Sequence, residues 1–343
     1  RMPMGQVTHK PITMPFVYVS HAVSGEIQRF ALPNTGSPTA PSACVLGSGL
    51  GPMCIDPIAR HVYVAKRGEV NTLVCLSADH FNGELAIAHE VPLTARMCYL
   101  SLDRERRFLL AVSYHSHSLT VCPLNSTKLP SLDHTVVSTL RHPHAVVFSP
   151  DNRFVWVSCL GDDTVMVFAF DENTGQLQLK TPWLSRAGSG PRHMCLHPDG
   201  KIVYVLNELD ATVDVLAWDA KLCVFEHLQH VSSLPLGFSG KPWAADLHLS
   251  PDAGFLYTSE RTSSTLAVFK VDSTSGKLHV LAHTPTETQP RSFAVSADGS
   301  QLWVAGQISN HLAVYARDMQ SGLLTIEQRI EIGLDPGWVA CLA

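Results

Sequence analysis

The side chains best suited to chemistry in this chain are four arginines, one histidine and one glutamate that lie far apart in the sequence. They are Arg67, His144, Arg192, Glu208, Arg261 and Arg291. An arginine fork pairs with a carboxylate or a phosphate through two parallel hydrogen bonds, so a cluster of arginines predicts a small anionic ligand. A histidine whose pKa lies near neutrality can take a proton from water, and a carboxylate can orient that water or steady the imidazolium. If these side chains meet, they could bind an anion and activate water against it.

Each arginine could instead lock neighbouring structural units together through an ion pair, with Glu208, Asp246 and Glu260 as available partners. That structural interpretation suits a single arginine better than all four at once. His193 directly follows Arg192. Successive strand side chains point to opposite faces, so we expect His193 to pack between units.

We expect this chemistry to need no metal ion or other cofactor. His142 and His144 would point the same way along a regular strand, but Pro143 between them disfavours one. The nearby charges are also arginines, where a metal site would want carboxylates. The chain lacks the Gly-x-Ser-x-Gly motif of a nucleophilic serine and the Walker loop of a nucleotide site. The favoured site is therefore built from side chains alone.

A sevenfold repeat indicates which elements position these residues. A short phrase with Tyr, Trp or Leu at its centre has central residues 18, 63, 110, 156, 204, 257 and 303, spaced by 45, 47, 46, 48, 53 and 46. Each copy is followed by a polar turn and a second apolar phrase, and a more polar run such as 176–180 or 277–281 ends the unit. Four short strands in about 40–50 residues are typical of a propeller blade, and we expect few helices.

Seven such units predict an all-β, seven-bladed propeller of four-stranded antiparallel blades. The chain enters at the second strand of a blade, since no Pro-Asp turn precedes Phe16, and residues 337–342 resemble the first strand of the other units. We expect this C-terminal strand to pair with residues 16–20 and close the ring, which leaves no free inner edge. The propeller should span 15–343, and residues 1–14 should be a disordered segment or a remnant of cloning.

The register of the repeat predicts which side chains meet. First strands line the channel of a propeller and second strands run antiparallel to them, so the starts of first strands and the ends of second strands gather at one mouth. Besides the catalytic candidates, this rule selects residues expected to bind the substrate. They are Arg67, Tyr114, His248, Arg291 and Gln307.

Composition favours a large intracellular domain. Hydrophobic residues make up 45% of the chain and charged residues 16%, which suits a protein with a sheet interface between every two blades. The formal charge of −5 argues against nucleic acid or an anionic membrane as the main partner. Nine cysteines without a Cys-x-x-Cys pair indicate buried thiols, and no apolar run could cross a bilayer or act as a signal peptide. We predict a cytoplasmic protein that is a monomer or a weak homo-oligomer.

Several motifs around these residues resemble a known family. They are 190–194 (GPRHM), 207–209 (NEL) with 213–215 (VDV), 243–248 (WAADLH), 261–262 (RT), 285–291 (PTETQPR) and 305–307 (AGQ). The chain resembles the seven-bladed propeller lactonases of the enterobacterial 6-phosphogluconolactonase type, which are related to the fungal carboxymuconate lactonizing enzyme. The similarity is dense from about Gly188 onward.

The resemblance implies that His144, Arg192, Glu208 and Arg261 are catalytic and that Arg291 belongs to a motif shared with phosphogluconolactonases. It implies metal-free hydrolysis of a small anionic lactone, 6-phospho-D-glucono-1,5-lactone, to 6-phosphogluconate in the pentose phosphate pathway. We hypothesise that His144 or Glu208 is the base and that Arg192 and Arg261 stabilise the oxyanion.

In the same hypothesis, Arg291 and Arg67 hold the phosphate or a distal carboxylate. Three alternatives remain open. The lactone could be unphosphorylated, the enzyme could be a cycloisomerase that closes a lactone from an unsaturated diacid, or the propeller could bind a partner without catalysis. The last alternative predicts an aromatic or apolar rim in place of clustered arginines.

Overall fold

The structure, a computed structural model, describes residues 15–31 and 42–343. The regular secondary structure of these residues is almost entirely β-strand, with one 3₁₀ helix, η1, at Leu160–Asp162. The expectation of few helices is therefore confirmed over these residues. None of the helical structure in them has the length and apolar character needed to cross a membrane. The expectation for residues 1–14 lies outside the described residues.

The strands form seven antiparallel sheets, each of which is one blade. Blade 1 contains β1 (Phe16–His21), β2 (Glu26–Ala31) and β3 (Ser42–Val45), and blade 2 contains β4 (Leu50–Asp56), β5 (His61–Lys66), β6 (Asn71–Ala78) and β7 (Leu85–Leu93). Blade 3 contains β8 (Tyr99–Leu102), β9 (Phe108–Ser113), β10 (Ser118–Pro123) and β11 (Thr135–Ser138). Blade 4 contains β12 (Pro143–Phe148), β13 (Phe154–Cys159), β14 (Thr164–Phe170), β15 (Leu177–Leu179) and β16 (Trp183–Leu184).

Blades 5 to 7 follow the same order. They contain β17 (Pro191–Leu196), β18 (Ile202–Asn207), β19 (Thr212–Asp219) and β20 (Val224–Ser232); β21 (Ala244–Leu249), β22 (Phe255–Glu260), β23 (Thr265–Val271) and β24 (Leu278–Pro285); and β25 (Pro290–Val295), β26 (Gln301–Gly306), β27 (His311–Arg317) and β28 (Leu324–Glu331). The last strand, β29 (Pro336–Leu342), returns to blade 1. The predicted fold of seven four-stranded blades is confirmed, and only the two-residue β16 is an addition to it.

Ring closure takes place as the sequence predicts. β29 pairs antiparallel with β1, with Phe16 opposite Leu342 and Ser20 opposite Trp338. The first strands β4, β8, β12, β17, β21, β25 and β29 contact one another in turn and encircle the channel. Because the first and last strands share one sheet, the N- and C-terminal parts of the ring are held by backbone hydrogen bonds.

The second strands form the buried layer between blades. The central residues of the repeated phrase, from Tyr18 to Trp303, are all 0% exposed. In four blades this residue is a tyrosine whose hydroxyl reaches the next blade, as Tyr204 Oη does when it donates to the carbonyl of Gly276 at 2.7 Å. Gly276 has φ +73°, and a Cβ there would lie 2.9 Å from Ile202 Cγ1, so the close approach of the loop requires glycine. The repeat thus encodes both the packing and the alignment of neighbouring blades.

Candidate active site

One mouth of the channel contains a cavity of about 310 Å³. Seven of the nine residues selected from the sequence line it. They are Arg67, Tyr114, His144, Arg192, Glu208, Arg291 and Gln307. Most of the residues predicted from the starts of first strands and the ends of second strands therefore meet at this mouth. They come from blades 2 to 5 and blade 7.

A repeated backbone feature aims three of these side chains into the channel. His144, Arg192 and Arg291 each occupy a β-bulge at the start of a first strand, where the pairing with the second strand skips one residue. Each follows a proline, and the residue before that proline has a left-handed backbone, with φ of 56°, 68° and 62° in the three blades. Bulges re-aim a side chain next to active sites, and here they release each residue from the regular alternation of the strand.

His144, Arg192 and Glu208 form a connected buried group. Arg192 Nη1 lies 2.8 Å from His144 Nε2 and also donates to Glu208 Oε1. Its Nε donates to the carbonyl of Ala245 at 2.7 Å, which fixes the plane of the guanidinium. Both the histidine and the arginine come from bulges on neighbouring blades, whereas Glu208 directly follows the second strand β18.

The arginine determines the protonation state of the histidine. A guanidinium can only donate, so Nε2 of His144 must accept, and the neutral ring carries its proton on Nδ1. Burial and the charge of Arg192 lower the pKa of His144 well below 6.5. His144 is therefore a neutral acceptor whose lone pair is already engaged, which makes it a poor base near neutral pH.

Glu208 is ionised and oriented by two arginines. Burial opposes its ionisation, but the charges of Arg192 and Arg261 outweigh this and lower its pKa. Both guanidinium groups donate to Oε1, Arg261 through Nη2 at 2.7 Å. Oε2 makes no hydrogen bond to any described residue, and Glu208 lines the cavity. A carboxylate fixed on one oxygen and free on the other can receive a proton from a water molecule in the cavity.

Arg261 lies behind Glu208, and this corrects the expectation that it meets the substrate with Arg192. Its side chain is 2% exposed and does not line the cavity. It stacks on the ring of Trp243 at 3.9 Å and donates to the carbonyl of Ala244 at 3.2 Å. Its position in the repeat predicts the correct mouth of the channel. The ion pair with Glu208, however, turns its side chain away from the channel.

Arg291 is a cation of the cavity lining that has no partner among the described residues. It lines the cavity, is half-buried, and makes no hydrogen bond or ion pair with any described residue. Burial and the charge of Arg192 lower its pKa to about 10, so it is positively charged at neutral pH. The expected acidic partners are engaged elsewhere: Glu208 holds two other arginines, and Glu260 accepts from the backbone N–H of Trp243 at 2.7 Å. A desolvated, unpaired guanidinium favours the binding of an anion.

Sequence reasoning missed one arginine. Arg96 lines the cavity beside Arg67, and burial together with the charge of Arg67 lowers its pKa. Its position three residues before β8 corresponds to the loop that precedes a first strand, but the weak Pro and Gly signals of blade 3 did not identify it. Five cationic side chains then line the cavity against two carboxylates, those of Glu208 and Asp335.

Tyr114 and Gln307 occupy the walls of the cavity. The Tyr114 ring stacks on His142, with centroids 4.2 Å apart, and lies 5.6 Å from the His144 ring. Its pKa is raised by burial and by the charge of Glu208, so the phenol keeps its proton. Gln307 donates through Nε2 to Asp335 Oδ1 at 3.0 Å. His142, whose φ is 56°, supports the ring of Tyr114 by stacking on it.

His248 does not line the cavity at the channel mouth. It lies in a second cavity, of about 390 Å³. A cluster of three aromatic side chains, those of Tyr99, His193 and Trp338, separates this cavity from the one at the channel mouth. β21 carries a bulge between Ala244 and Leu247, so His248 pairs with Tyr257 in the middle of the blade and is not near the strand start. The prediction that it joins the substrate-binding mouth is therefore wrong.

A buried carboxylate connects the two cavities. Asp246 Oδ1 lies 3.1 Å from His193 Nδ1, and Asp246 Oδ2 lies 3.0 Å from His248 Nε2. Burial opposes ionisation of Asp246, but the two histidines outweigh it and lower the pKa of this carboxyl group. Burial lowers the pKa of His193 to about 4. For His248, the charge of Asp246 outweighs burial and raises the pKa. His193 thus packs between blades 5 and 6, as expected.

Comparisons with known proteins agree with this architecture. A family model described as Lactonase, 7-bladed beta-propeller matches residues 16–340. The 6-phosphogluconolactonase of Cronobacter sakazakii is 38% identical over 325 residues, which cover 94% of this chain and 97% of that protein. The 6-phosphogluconolactonase of Pectobacterium carotovorum subsp. carotovorum is 35% identical over 329 residues, which cover 95% and 98%.

Among solved structures, the periplasmic gluconolactonase of Pseudomonas aeruginosa is similar with a TM-score of 0.88 and 28% identity, covering 96% of this chain and 99% of that chain. The family model, the near-complete coverage of these relatives and the closed ring of seven blades all agree. They confirm the family that the sequence motifs indicate. The chain belongs to the family of seven-bladed β-propeller lactonases.

Proposed function

We propose that the protein hydrolyses 6-phospho-D-glucono-1,5-lactone to 6-phosphogluconate. The observation that carries the proposal is Arg291, an unpaired cation that faces the same cavity as the ionised Glu208. A phosphorylated lactone supplies both the anion and the electrophilic carbonyl that this arrangement fits. The curated relatives with 38% and 35% identity are named 6-phosphogluconolactonases, which supports the phosphorylated substrate.

Glu208 is the proposed base. Water attacks the lactone carbonyl carbon while Oε2 of Glu208 takes its proton, and a tetrahedral oxyanion forms. Arg192 stabilises that oxyanion through Nη2, which makes no hydrogen bond to the described residues. The ring C–O bond then breaks, and the proton passes from Glu208 to the leaving ring oxygen, which becomes the hydroxyl of the product.

The other residues position these groups. His144 holds Arg192 through Nε2, and Arg261 holds the carboxylate of Glu208 from behind. Arg291 binds the phosphate, and Arg67 and Arg96 contribute further positive charge to the lining of the cavity. The proposed catalytic pair is thus Glu208 and Arg192, and two further residues act through them.

The test is a coupled assay with fresh 6-phosphogluconolactone and phosphogluconate dehydrogenase, from which spontaneous lactone hydrolysis is subtracted. The Arg192→Met variant should lose at least about 100-fold in kcat, the usual effect of removing one oxyanion donor. An unchanged rate in this variant would exclude the assignment. A parent protein that converted a muconate but gave no rate above background with this lactone would be a cycloisomerase. A preference for gluconolactone, which has no phosphate, would show that the substrate assignment is wrong.

We further propose a cytoplasmic enzyme that works as a monomer or weak homo-oligomer. All nine cysteines are free thiols, which favours a reducing compartment. Cell fractionation and light scattering of the purified protein test these two points. Recovery in an oxidising compartment, or a stable oligomer at low concentration, would contradict them.

A further inference from the structure

A second polar cluster lies outside the channel, on the outer half of blade 5. It consists of Asp214 on β19 with His227 and His230 on the outermost strand β20. The proposed lactone chemistry uses none of these residues. Among the residues that the structure describes, this is the group of three whose ligand atoms have metal-binding spacing.

A β-bulge brings the two histidines to one face. Side chains three residues apart on a regular strand point to opposite faces. The pairing of β19 with β20 shifts between Val215 and Leu216, so that Val215 is opposite Gln229 while Leu216 is opposite His227. The skipped residue, Leu228, restores the common face, and both imidazoles reach the same carboxylate.

The three ligand atoms converge on a single point. His227 Nε2 and His230 Nδ1 each lie 2.9 Å from Asp214 Oδ1, and all three atoms are within 4.8 Å of one another. Ligands that hold one ion with bonds of about 2.0–2.2 Å must be about 3–3.5 Å apart. Asp246 in the channel provides a contrast, because its two histidines use different oxygens and diverge.

The surroundings hold the carboxylate as a ligand requires. Asp214 is 3% exposed, and its other oxygen, Oδ2, accepts from Asn207 Nδ2 at 2.8 Å. The ring of Trp183 in blade 4 stacks on His227 with an angle of 17° and centroids 6.0 Å apart. Such outer contacts orient ligating groups and raise metal affinity.

Two neutral imidazoles that donate to Asp214 would explain these contacts in the absence of an ion. Binding an ion requires each ring to move its proton to the other nitrogen. The side chains are 44% and 26% exposed, so water can accept hydrogen bonds from the protons after this move. The exposed side also leaves room for water to complete the coordination.

We propose that Asp214, His227 and His230 bind a zinc ion that fastens the edge strand β20 to β19. Two imidazoles and one carboxylate are a common zinc ligand set, and water would complete it. This site is independent of the proposed lactone hydrolysis and lies outside the channel mouth, for which we expect no metal.

The experiment uses the full protein, stripped with a chelator and titrated with zinc sulfate against a chromophoric zinc indicator. The parent should bind one equivalent of zinc, and its melting temperature should rise with zinc concentration. The double variant His227→Gln/His230→Gln should bind at least about 100-fold more weakly and lose the thermal response. The single variant His227→Gln changes an exposed side chain, so it should fold like the parent. Its affinity for zinc should also be lower than that of the parent.

The matched control is His279→Gln, an exposed histidine on β24, the outermost strand of the next blade. It should bind zinc like the parent. The proposal is overturned if the parent binds no zinc, or if the double variant binds it as tightly, as it would if the free thiols were the ligands.

Discussion

Arg291 differs from Arg192, Arg261 and Arg317 by the lack of an acidic partner among the described residues. Arg192 and Arg261 share Glu208, and Arg317, far from the channel mouth, pairs with Asp252 at 3.2 Å. Those pairs satisfy charges that would otherwise be buried alone, which is the structural role considered from the sequence. Arg291 has no such role within the described residues, so its charge is available to a ligand.

The Arg291→Met variant should distinguish phosphorylated from unphosphorylated substrates. Hydrogen bonds to charged groups contribute about 1.5–3 kcal/mol, so kcat/KM for 6-phosphogluconolactone should fall by roughly 10- to 100-fold. With gluconolactone the change should be small, because there is no phosphate to lose. The control is Arg153→Met, an exposed arginine in the turn between β12 and β13. Equal losses with both lactones would contradict phosphate binding by Arg291.

The pH dependence of the rate should identify the base. The pKa of Glu208 is lowered from 4.5, so its carboxylate persists at neutral pH and is protonated only in acid. The pKa of His144 is well below 6.5, so His144 does not titrate near neutrality. We therefore expect kcat/KM, corrected for spontaneous hydrolysis, to be level from about pH 8 to about pH 5 and to fall below that. An inflection near pH 6.5 would favour histidine as the base.

At the scale of the strand, two devices position the site. First strands begin with a bulge that aims His144, Arg192 or Arg291 inward. In every blade but blade 3, which has Leu110, the second strand supplies a buried aromatic that fixes the distance between blades, as Tyr204 does. Because the side chains that line the cavity come from different blades, the spacing between blades determines whether they meet.

The Tyr204→Phe variant tests the alignment of blades 5 and 6. Losing the bond to the Gly276 carbonyl leaves a buried acceptor unpaired and should lower the free energy of unfolding by about 1–3 kcal/mol. Denaturant unfolding followed by circular dichroism measures this. Tyr114→Phe is the control, since that hydroxyl makes no hydrogen bond to the described residues, and its stability should hardly change. Equal stabilities for the two variants would remove the role assigned to the tyrosine.

At the scale of the whole molecule, the propeller separates charge. The chain has a formal charge of −5, yet five cationic side chains line one cavity against two carboxylates. The closed ring makes this possible, because no blade contributes more than two of these charges to the mouth. An acidic exterior with a cationic opening favours the entry of a small anion over binding to polyanions.

Removing β29 should destabilise the entire ring. Truncation after Leu334 takes away the partner of β1 and the buried side chains Val339 and Leu342, at about 1.5–3 kcal/mol each. We expect the melting temperature to fall by at least about 10 °C. Removing Ala343 alone should leave it unchanged. A truncated protein that melts like the parent would show that the last strand does not hold the ring closed.

Local sequence determines much of this protein. The repeated phrase, whose central residues run from Tyr18 to Trp303, predicts the strands and their number. A buried aromatic residue between β-branched residues fits only a strand that is packed on both faces. The start and end of the chain predict ring closure, since an unmatched second strand needs a first strand from elsewhere. The same register brings Arg192, Glu208 and Arg291 to one mouth.

Tertiary structure alone decides which of these side chains face the cavity and which stay protonated. Arg261 and His248 follow the register rule but lie elsewhere, because an ion pair turns one and a two-residue bulge displaces the other. The assignment of the base to Glu208 depends on contacts from three blades that lower the pKa of His144 and leave Oε2 free. A repeat specifies backbone positions through local packing, whereas side-chain direction and charge depend on neighbours that are distant in sequence and meet only when the ring closes.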